Sequence, residues 1–313
     1  MTVLCTSRER LRLRAEAVLE IDGLALPADE QPGAVERADA TLLFLERARQ
    51  VVDSFALTSE NRASVAQICR LLGGAPLGIE LAATWVRVMS CAEIVAETTR
   101  SIDFLALDDR DLPPRHRSLR AVIDHSWQLL TPDEQRILQR LSVFRGGFTR
   151  EAAAEVASAT LPVLSSLVAK SLLRRAGTAR YEMHELVRQY AREHLEADQT
   201  VFEETARRHA ATYARLLEQR GPGLRGPSQP TVIAELVQEL GNIRGAWDWA
   251  VAHRGAEELT QAADTLFWLY EARSNCREGV PLFGQAIRGL QPPTGMALPP
   301  ADGAAVLALG QAL

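Results

Sequence analysis

The stretch Tyr181–Leu195 constrains the fold of this chain most, because it passes from the end of a strand directly into an amphipathic helix. Its apolar residues recur at helical spacing and form one stripe: Leu186, Val187, Tyr190, Ala191 and Leu195. Just before it, Leu172–Arg175 and Arg180–Met183 flank a turn at Ala176–Thr178. Two short segments around such a turn predict a β-hairpin that leads into the helix.

The region upstream of this hairpin predicts a compact set of short helices. Leu119–Leu130 has a helical pattern, and Thr131 precedes a proline and two acids as an N-cap does. Further helices are expected at Glu151–Ala157, capped by Thr149, and at Leu161–Ser171. Several helices, a hairpin and a closing helix together predict a winged helix-turn-helix.

The closing helix opens on Met183-His184-Glu185. A helix start carries unpaired N–H groups and partial positive charge, so it is a suitable place to meet a phosphate. A histidine there can equally make a capping or interdomain hydrogen bond. Taken alone, His184 leaves both interpretations open, with the structural one the more common.

The composition limits the class of protein. The chain has 313 residues, 47% of them apolar and 24% charged, which is enough for two or three folded domains. The formal net charge of −5 gives no general attraction to nucleic acid or to anionic membranes. Lys170 is the only lysine, and this arginine-rich composition favours a bacterial, GC-rich origin.

Cysteine and histidine usage predicts neither disulfides nor a metal site. The four cysteines lie far apart, without a CxxC pair, and the six histidines make no ligand spacing with them. We expect no signal peptide, because the apolar run Met1–Cys5 before Arg8 is too short, and no apolar run approaches the ~20 residues of a membrane span. We therefore expect a soluble, cytoplasmic protein that makes no membrane contact.

The first hundred residues combine two predicted strands with helices. Strands are expected at Thr2–Ser7 and at Val18–Leu24, the second closed by Gly23. Helices are expected at four places: Asp39–Phe55, a segment from Thr58 or Ser59 to Leu72, Leu77–Met89, and a segment from Ser90 or Cys91 to Arg100. The loop Asp108–Arg117, rich in Asp, Pro and Arg, indicates a domain boundary.

After Asp198 the pattern is helical throughout. The expected helices are Phe202–Arg220, Thr231–His253, Glu257–Ser274, Glu278–Leu290 and a final one at Ala301–Leu313. The spacing of apolar residues within Ala263–Pro292 suits two antiparallel helices of a TPR-like repeat. Because solenoid repeats need a neighbour on each side, and because the opening strand has no earlier partner, the pattern predicts a fragment of a longer protein.

Three short stretches are candidates for nucleotide contacts. Arg8 follows the opening strand, where ligands bind in open α/β sheets and where an arginine can hold a phosphate. The Gly73-Gly74-Ala75-Pro76 stretch allows close backbone approach before a helix begins. His184 is the third. Each of them also has an ordinary structural interpretation: a surface ion pair, a turn between helices, or a cap.

The order of these stretches resembles the NB-ARC module of signal-transduction ATPases with numerous domains, the STAND class. Gly74-Ala75-Pro76-Leu77 is similar to the GLPL-type motif of that family, and Met183-His184-Glu185 to its MHD motif. The helices that follow, beginning at Leu240–Ala250, resemble the sensor region of bacterial AfsR/LuxR-associated regulators. The resemblance covers nearly the whole chain.

The resemblance implies specific roles. Arg8 matches the arginine that senses the γ-phosphate, Pro76 the proline that packs on the base, and His184 the histidine that contacts the β-phosphate of ADP. The intact family protein binds ADP or ATP with Mg²⁺. Ala75 and Glu185 depart from the usual Leu and Asp, so contacts made through Glu185 must reach differently.

The sequence also lacks what a nucleotide switch needs for catalysis. It contains no GxxxxGK[ST] stretch, and Lys170 lies in a helical segment without a preceding glycine. No Walker B strand precedes Arg8. We therefore expect this chain alone neither to hydrolyse ATP nor to bind it well.

Together these patterns predict a mainly α-helical chain in four parts. These are a remnant of an α/β nucleotide-binding domain (residues 1–57), a helical ARC subdomain (58–112), a winged helix (113–197) and an incomplete TPR-like α-solenoid (198–313). The expected partners are a protein or peptide signal at the repeats and, optionally, a second copy of the chain. One alternative is a helical scaffold that binds protein without a nucleotide. Another is a DNA reader, which is less favoured because Leu161–Ser171 offers only Lys170 and several serines toward bases.

Overall fold

A computed structural model describes residues 21–29, 31–101, 119–177, 179–273 and 276–290, together with residues 5, 16, 17, 19, 302, 305, 306 and 310. Arg8, the strand expected at Thr2–Ser7, the loop Asp108–Arg117 and most of the helix expected at Ala301–Leu313 lie outside the described residues. Within them the chain is mainly helical, as the sequence predicts, with one small sheet.

The helices and strands follow one another in this order along the chain: α1 (Pro32–Val35), α2 (Asp39–Val51), α3 (Arg62–Leu71), α4 (Pro76–Thr84), α5 (Cys91–Arg100), α6 (Leu119–Gln128), α7 (Pro132–Leu141), β1 (Phe148–Thr149), α8 (Arg150–Ala157), α9 (Leu161–Ala169), β2 (Arg174–Ala176), β3 (Arg180–Glu182), α10 (Glu185–Glu196), α11 (Gln199–Arg220), α12 (Gln229–Gln238), α13 (Leu240–Ala252), α14 (Ala256–Ala272) and α15 (Cys276–Leu290). Short 3-10 turns follow α4 and α11.

The chain divides into two compact units. The first unit consists of Met1–Arg136, Ser165–Leu173 and Met183–Glu193. The second unit consists of Ile137–Leu164, Arg174–Glu182 and His194–Leu313. The four-part division expected from the sequence stays a prediction.

The core of the first unit is built from helices α2 to α5, with apolar residues of α6 and α10 packed against them. Phe44, Ile68, Ile79 and Ile94 are fully buried there, one from each of the four helices. Tyr190 of α10 belongs to the same core. Leu186, Val187 and Tyr190 of the apolar stripe therefore pack into the core of the first unit, which fits their helical spacing.

Helix ends in the first unit follow the local sequence. Ser90 caps α5 in a reciprocal capping box, in which its hydroxyl accepts from the Glu93 N–H and the Glu93 carboxylate accepts from the Ser90 N–H. Thr131 and Glu134 make the same reciprocal pair at the start of α7. The cap expected at Thr131 is thus confirmed, and the helix expected to start at Ser90 or Cys91 begins at Cys91.

The sheet lies in the second unit and has the strand order β1-β3-β2, with both pairings antiparallel. The predicted hairpin is confirmed, since Arg175 lies opposite Tyr181. Strand β1 was not expected: Phe148 pairs with Tyr181 just before Thr149 caps α8. The rings of Phe148 and Tyr181 stack across this pair with centroids 6.1 Å apart.

The second unit continues with five helices, α11 to α15. Helix α11 packs against α13 and α14, and α14 packs against α15. Trp247 meets Phe283 edge to face at 5.5 Å, and both are buried, so these aromatic rings are core residues. Whether these helices form a TPR-like repeat stays a prediction.

Two sequence expectations are wrong. Val18–Leu24 was expected as a strand, but Leu19 and residues 21–27 adopt no strand structure, because none of the strands in the described part of the chain lies beside them. Instead the Leu24 N–H bonds to a turn at Gly74. The single helix expected at Thr231–His253 is two helices, broken at Glu239, whose side chain is held by other elements.

Candidate functional site

The Gly73–Gly74 turn ends α3 in the first unit. Both glycines have positive φ angles, 57° and 72°. The Gly74 N–H bonds to the Cys69 carbonyl at 3.2 Å and the Gly73 N–H to the Arg70 carbonyl at 3.0 Å, which is the Schellman pattern of a helix end. Backbone hydrogen bonds therefore fix the turn in a conformation with positive φ angles. A residue with a Cβ would be strained in that conformation.

A second backbone segment, Gly23-Leu24, runs against this turn. The Leu24 N–H donates to the Gly74 carbonyl at 2.8 Å. A Cβ on Gly23 would lie 2.5 Å from the Gly73 oxygen, and a Cβ on Gly74 would lie 2.3 Å from the Leu24 oxygen. The two segments thus meet backbone to backbone, and glycine is what allows their approach.

His184 stands at the start of α10 and acts as its cap. The Leu186 N–H donates to Nδ1 of His184 at 3.2 Å, and the Arg188 N–H donates to the His184 carbonyl at 2.9 Å. Because Nδ1 accepts a hydrogen bond, the neutral ring carries its proton on Nε2. The hydrogen bonds from Leu186 and Arg188 therefore confirm the capping interpretation of His184.

The other edge of the His184 ring lies against the glycine turn. A Cβ placed on Gly73 would stand 2.1 Å from Nε2 and 2.5 Å from Cδ2. The contact residue is thus Gly73, and the expected site residue Gly74 is its buried neighbour. Pro76 is exposed as the first residue of α4, two positions further on. The structure brings Gly74, Pro76 and His184 into one region of the first unit.

The residues after His184 fix the start of α10. Both Glu185 carboxylate oxygens accept from Arg188, at 2.6 and 2.8 Å. The Gln189 amide donates to Glu185 at 3.2 Å and to the carbonyls of Thr98 and Thr99 at the end of α5. Burial raises the pKa of Glu185, but the hydrogen bonds and charge of Arg188 outweigh it and lower the pKa overall. Glu185 therefore reaches Arg188 on its own helix.

The described residues hold no group of three or more His, Cys, Asp or Glu side chains arranged to bind a metal ion. Two buried cysteines of the first unit, Cys69 and Cys91, have raised thiol pKa values because burial disfavours the thiolate; that of Cys69 is about 11. The region around the Gly73–Gly74 turn therefore presents backbone groups, an imidazole and an exposed proline.

Lys170, the only lysine, follows α9 and is engaged in the first unit. Its ammonium donates to the Glu134 carboxylate at 2.9 Å and to the Leu129 carbonyl at 2.9 Å. Ser166 donates to the same carboxylate. Burial pushes the pKa of Glu134 upward, but the hydrogen bonds from Ser166, Lys170 and the Thr131 N–H hold it at about 2.

The side chains that a winged helix offers to DNA are therefore few. Along α9 the exposed positions are Leu161, Pro162 and Ser165, so none of them is an Arg, Lys, Asn or Gln that could bind a base edge bidentately. In the hairpin, Arg174 pairs with Glu182 and Arg180 pairs with Glu239. Nothing in the sequence predicted that Glu239 would be the partner of Arg180.

Comparison with known proteins supports the winged helix directly. Residues 130–196 match the family of winged helix-turn-helix domains, so this part of the chain is a winged helix-turn-helix domain. Helices α7 to α10 and strands β1 to β3 lie within this range.

Over 301 residues the chain is 34% identical to proteins of Mycobacterium tuberculosis and Mycobacterium bovis that are named "Putative HTH-type transcriptional regulator". The match covers 92% of this chain and 32% of theirs. Over 206 residues it is 34% identical to an uncharacterized protein of Mycobacterium tuberculosis, covering 62% of this chain and 50% of that one. The chain thus spans a third to a half of the length of these relatives. No solved structure gives a significant match.

None of the described helices is by itself both long and apolar enough to cross a membrane; Arg150–Ala157 and Leu161–Ala169 meet the length and composition test only as a bent pair.

Proposed function

We propose that this chain contributes the closing half of a nucleotide-dependent switch in a bacterial transcriptional regulator. The observation that carries the proposal is the position of the His184 ring against the Gly73–Gly74 turn. The regulator role is supported by the similarity to mycobacterial proteins named as HTH-type transcriptional regulators. The switch role is supported by the resemblance to the NB-ARC module.

In this proposal His184 is the group that reads the nucleotide. In the proposal, His184 contacts the nucleotide from beside the Gly73–Gly74 turn, with its Nδ1 accepting from the Leu186 N–H and its Nε2 edge facing Gly73. The ring is partly buried and is held by the hydrogen bond from the Leu186 N–H, while the Glu185 contacts with Arg188 and Gln189 fix the start of α10 beside it. ADP would stabilise the state in which α10 and the glycine turn are close, and exchange for ATP would release it.

The remaining nucleotide contacts are assigned by resemblance. Pro76, exposed at the start of α4, would pack on the base. Arg8 would meet the terminal phosphate. Mg²⁺ and the phosphates require a GxxxxGK[ST] loop, which this sequence does not contain. Lys170 cannot replace the loop lysine, because its ammonium is bound to Glu134 and Leu129.

The first experiment reads the gene. We expect the DNA on the 5′ side of codon 1 to encode GxxxxGK[ST], in frame or displaced by a frameshift. A reading frame extended to include that loop should bind fluorescent ADP with Mg²⁺, whereas the 313-residue chain should show neither micromolar ADP affinity nor ATP hydrolysis above background. Absence of any such loop, or no ADP binding by the extended protein, contradicts the switch.

The second experiment tests His184 in the extended protein. Loss of a hydrogen bond to a charged phosphate weakens binding by roughly 10- to 100-fold, so His184→Ala should weaken ADP retention by that amount. The matched control is His194→Ala on the same helix, which should leave ADP affinity within about 2-fold because His194 lies beyond the first turn of α10. Equal ADP affinity of the two variants would remove His184 from the site.

A second candidate function is a helical scaffold that binds a protein or peptide. The stack of α11 to α15 favours it, since such helices present extended surfaces. In that case the extended protein shows no thermal shift with ADP and Mg²⁺. Self-association is compatible with both functions, and light scattering with and without nucleotide distinguishes a switch-driven oligomer from a permanent one.

A further inference from the structure

A buried charged cluster lies in the second unit, between the hairpin and the helices that follow it. Glu239, between α12 and α13, is 4% exposed. Its carboxylate accepts from the Arg180 guanidinium of β3, from the Tyr213 hydroxyl of α11 at 3.1 Å and from the Asn242 amide of α13 at 2.9 Å. We call these four residues the Glu239 cluster. Three different elements therefore converge on one buried carboxylate.

Asn242 extends the cluster to the turn that precedes β1. Its side chain is fully buried, and it donates to the Gly147 carbonyl at 2.8 Å while its oxygen accepts from the Arg145 N–H at 2.7 Å. The helix start approaches this turn so closely that a Cβ on Gly241 would stand 2.7 Å from the Arg145 oxygen. Gly241 and Asn242 thus connect α13 to the Arg145–Gly147 turn by backbone contact and by two hydrogen bonds.

The environment of the cluster is that of a fixed structural joint. Burial and the adjacent negative charge of Glu239 raise the pKa of Tyr213. Burial of a charged carboxylate destabilises the fold unless hydrogen-bond donors surround it. Removing one donor therefore leaves part of the negative charge uncompensated. Arg180, Tyr213 and Asn242 each donate to Glu239, and β3 is anchored through the only arginine of that strand.

We propose that the Glu239 cluster makes the wing, Arg174–Glu182, and the helices α11 to α13 a single mechanical unit. Any ligand that displaces the α12–α13 corner must then move or release the wing. The wing is an intramolecular contact for the helical region, and its strand β3 is held by protein rather than by nucleic acid. This coupling goes beyond the nucleotide switch and does not depend on it.

The surrounding contacts agree with this arrangement. On the neighbouring face of α11, Arg215 and Thr212 contact Glu155 of α8 at 3.2 and 3.3 Å. Phe144 lies 5.3 Å from the His209 ring and 6.3 Å from the Tyr213 ring. Helix α8 and the segment before β1 are therefore also held by α11. These elements and the wing share one packed core within the second unit.

The test is hydrogen exchange of the whole 313-residue chain, followed by peptide mass spectrometry. Glu239→Gln keeps the size of the side chain but removes the charge that holds Arg180. If the wing and α13 open together, protection of peptides covering Arg174–Glu182 should fall about 10-fold, in step with α13 peptides. The midpoint of thermal unfolding of the same unit should fall by roughly 5 °C.

The matched control is Glu235→Gln, four residues earlier on α12. Glu235 pairs with Arg220 at the surface, with both side chains about 40% exposed. Wing protection in this variant should stay within about 2-fold of the original, because exposed ion pairs contribute little. If Glu239→Gln unfolds the chain, Tyr213→Phe is the milder variant, because it removes only one donor to Glu239. It should lower the hydrogen-exchange protection of the wing and of α13 by the same factor.

A double-mutant cycle distinguishes coupling from general destabilisation. Arg180→Gln should loosen α13 in the otherwise unchanged chain, yet add less than about 2-fold to the exchange of Glu239→Gln. The proposal is overturned if Glu239→Gln and Tyr213→Phe loosen α12 and α13 while the wing keeps its protection. It is equally overturned if the effects of Arg180→Gln and Glu239→Gln are additive.

Discussion

The imidazole of His184 lies against Gly73 so closely that no residue with a side chain fits there: a Cβ on Gly73 would be 2.1 Å from Nε2. Gly73 also has a φ of 57°, which disfavours side chains independently. The two effects have different causes and can be separated. The position of α10 at the glycine turn therefore rests on a steric requirement that mutation can test.

Gly73→Ala should destabilise the first unit by about 2–4 kcal/mol, the sum of left-handed strain and a clash with the His184 ring. Gly177→Ala is the matched control, because Gly177 has a φ of 63° with nothing within 4 Å of its added Cβ. It should cost only about 1–2 kcal/mol. Urea unfolding measures both.

The same clash predicts non-additivity. In a His184→Ala background the ring is gone, so Gly73→Ala should cost about as much as Gly177→Ala does. If Gly73→Ala is equally costly with and without the imidazole, the contact between Gly73 and His184 does not determine the position of α10.

The sequence predicted the elements of this site better than their contacts. The Gly73-Gly74-Ala75-Pro76 break, the cap at Thr131 and the helix start at His184 are local, since each depends on residues within a few positions. The Leu24–Gly74 hydrogen bond and the Glu239 cluster join residues far apart in the chain, so no periodicity reveals them. The strand predicted at Val18–Leu24 is wrong for the same reason, because its local pattern does not show that Leu24 bonds to the Gly74 turn instead of to a neighbouring strand.

Glu134 makes the stability of the first unit depend on pH, with stability lost at low pH. Its pKa in the folded chain is about 2, below the ordinary carboxyl value, because Ser166, Lys170 and the Thr131 N–H bind the charged form. A lowered folded-state pKa contributes stability that is present above the unfolded pKa of about 4.3 and is lost as the pH falls toward 2.

Glu134→Gln should therefore lower the free energy of unfolding by roughly 1–3 kcal/mol at pH 7 and flatten its decline between about pH 4.5 and pH 2. Asp133→Asn is the control, because Asp133 pairs with Arg136 in solvent; its change should stay within about 0.5 kcal/mol. A parallel pH dependence for Glu134→Gln and the original chain would contradict the assigned network.

Thiol reactivity should follow burial in the first unit. Cys69 and Cys91 are buried and their pKa values are raised, whereas Cys5 is exposed. At pH 8 a disulfide reagent should modify Cys5 within minutes and Cys69 only on unfolding, because the thiolate is the reactive form. Peptide mass spectrometry assigns each thiol, and complete reaction in guanidinium is the control. Rapid labelling of Cys69 in the folded chain would show that α3 does not pack as described.

Duplex DNA should bind this winged helix weakly or not at all. Helix α9 exposes Leu161, Pro162 and Ser165, and Lys170 beyond it is held by Glu134. Without several lysines or arginines on phosphates, the affinity for random duplex should be weaker than about 10 µM at 150 mM salt and should rise only slightly at 50 mM salt. A gel-shift titration at the two salt concentrations measures this.

The hairpin is where a residual DNA contact would lie. Arg174 is largely exposed although it pairs with Glu182, so Arg174→Ala tests whether the hairpin touches phosphate. We expect no change in the gel shift, with Arg100→Ala on α5 as a control for the loss of an exposed charge. If duplex DNA binds tightly, if that binding weakens steeply with salt, and if only Arg174→Ala abolishes it, this winged helix is a DNA reader. Removal of one phosphate contact should then lower the slope of log affinity against log salt by about one.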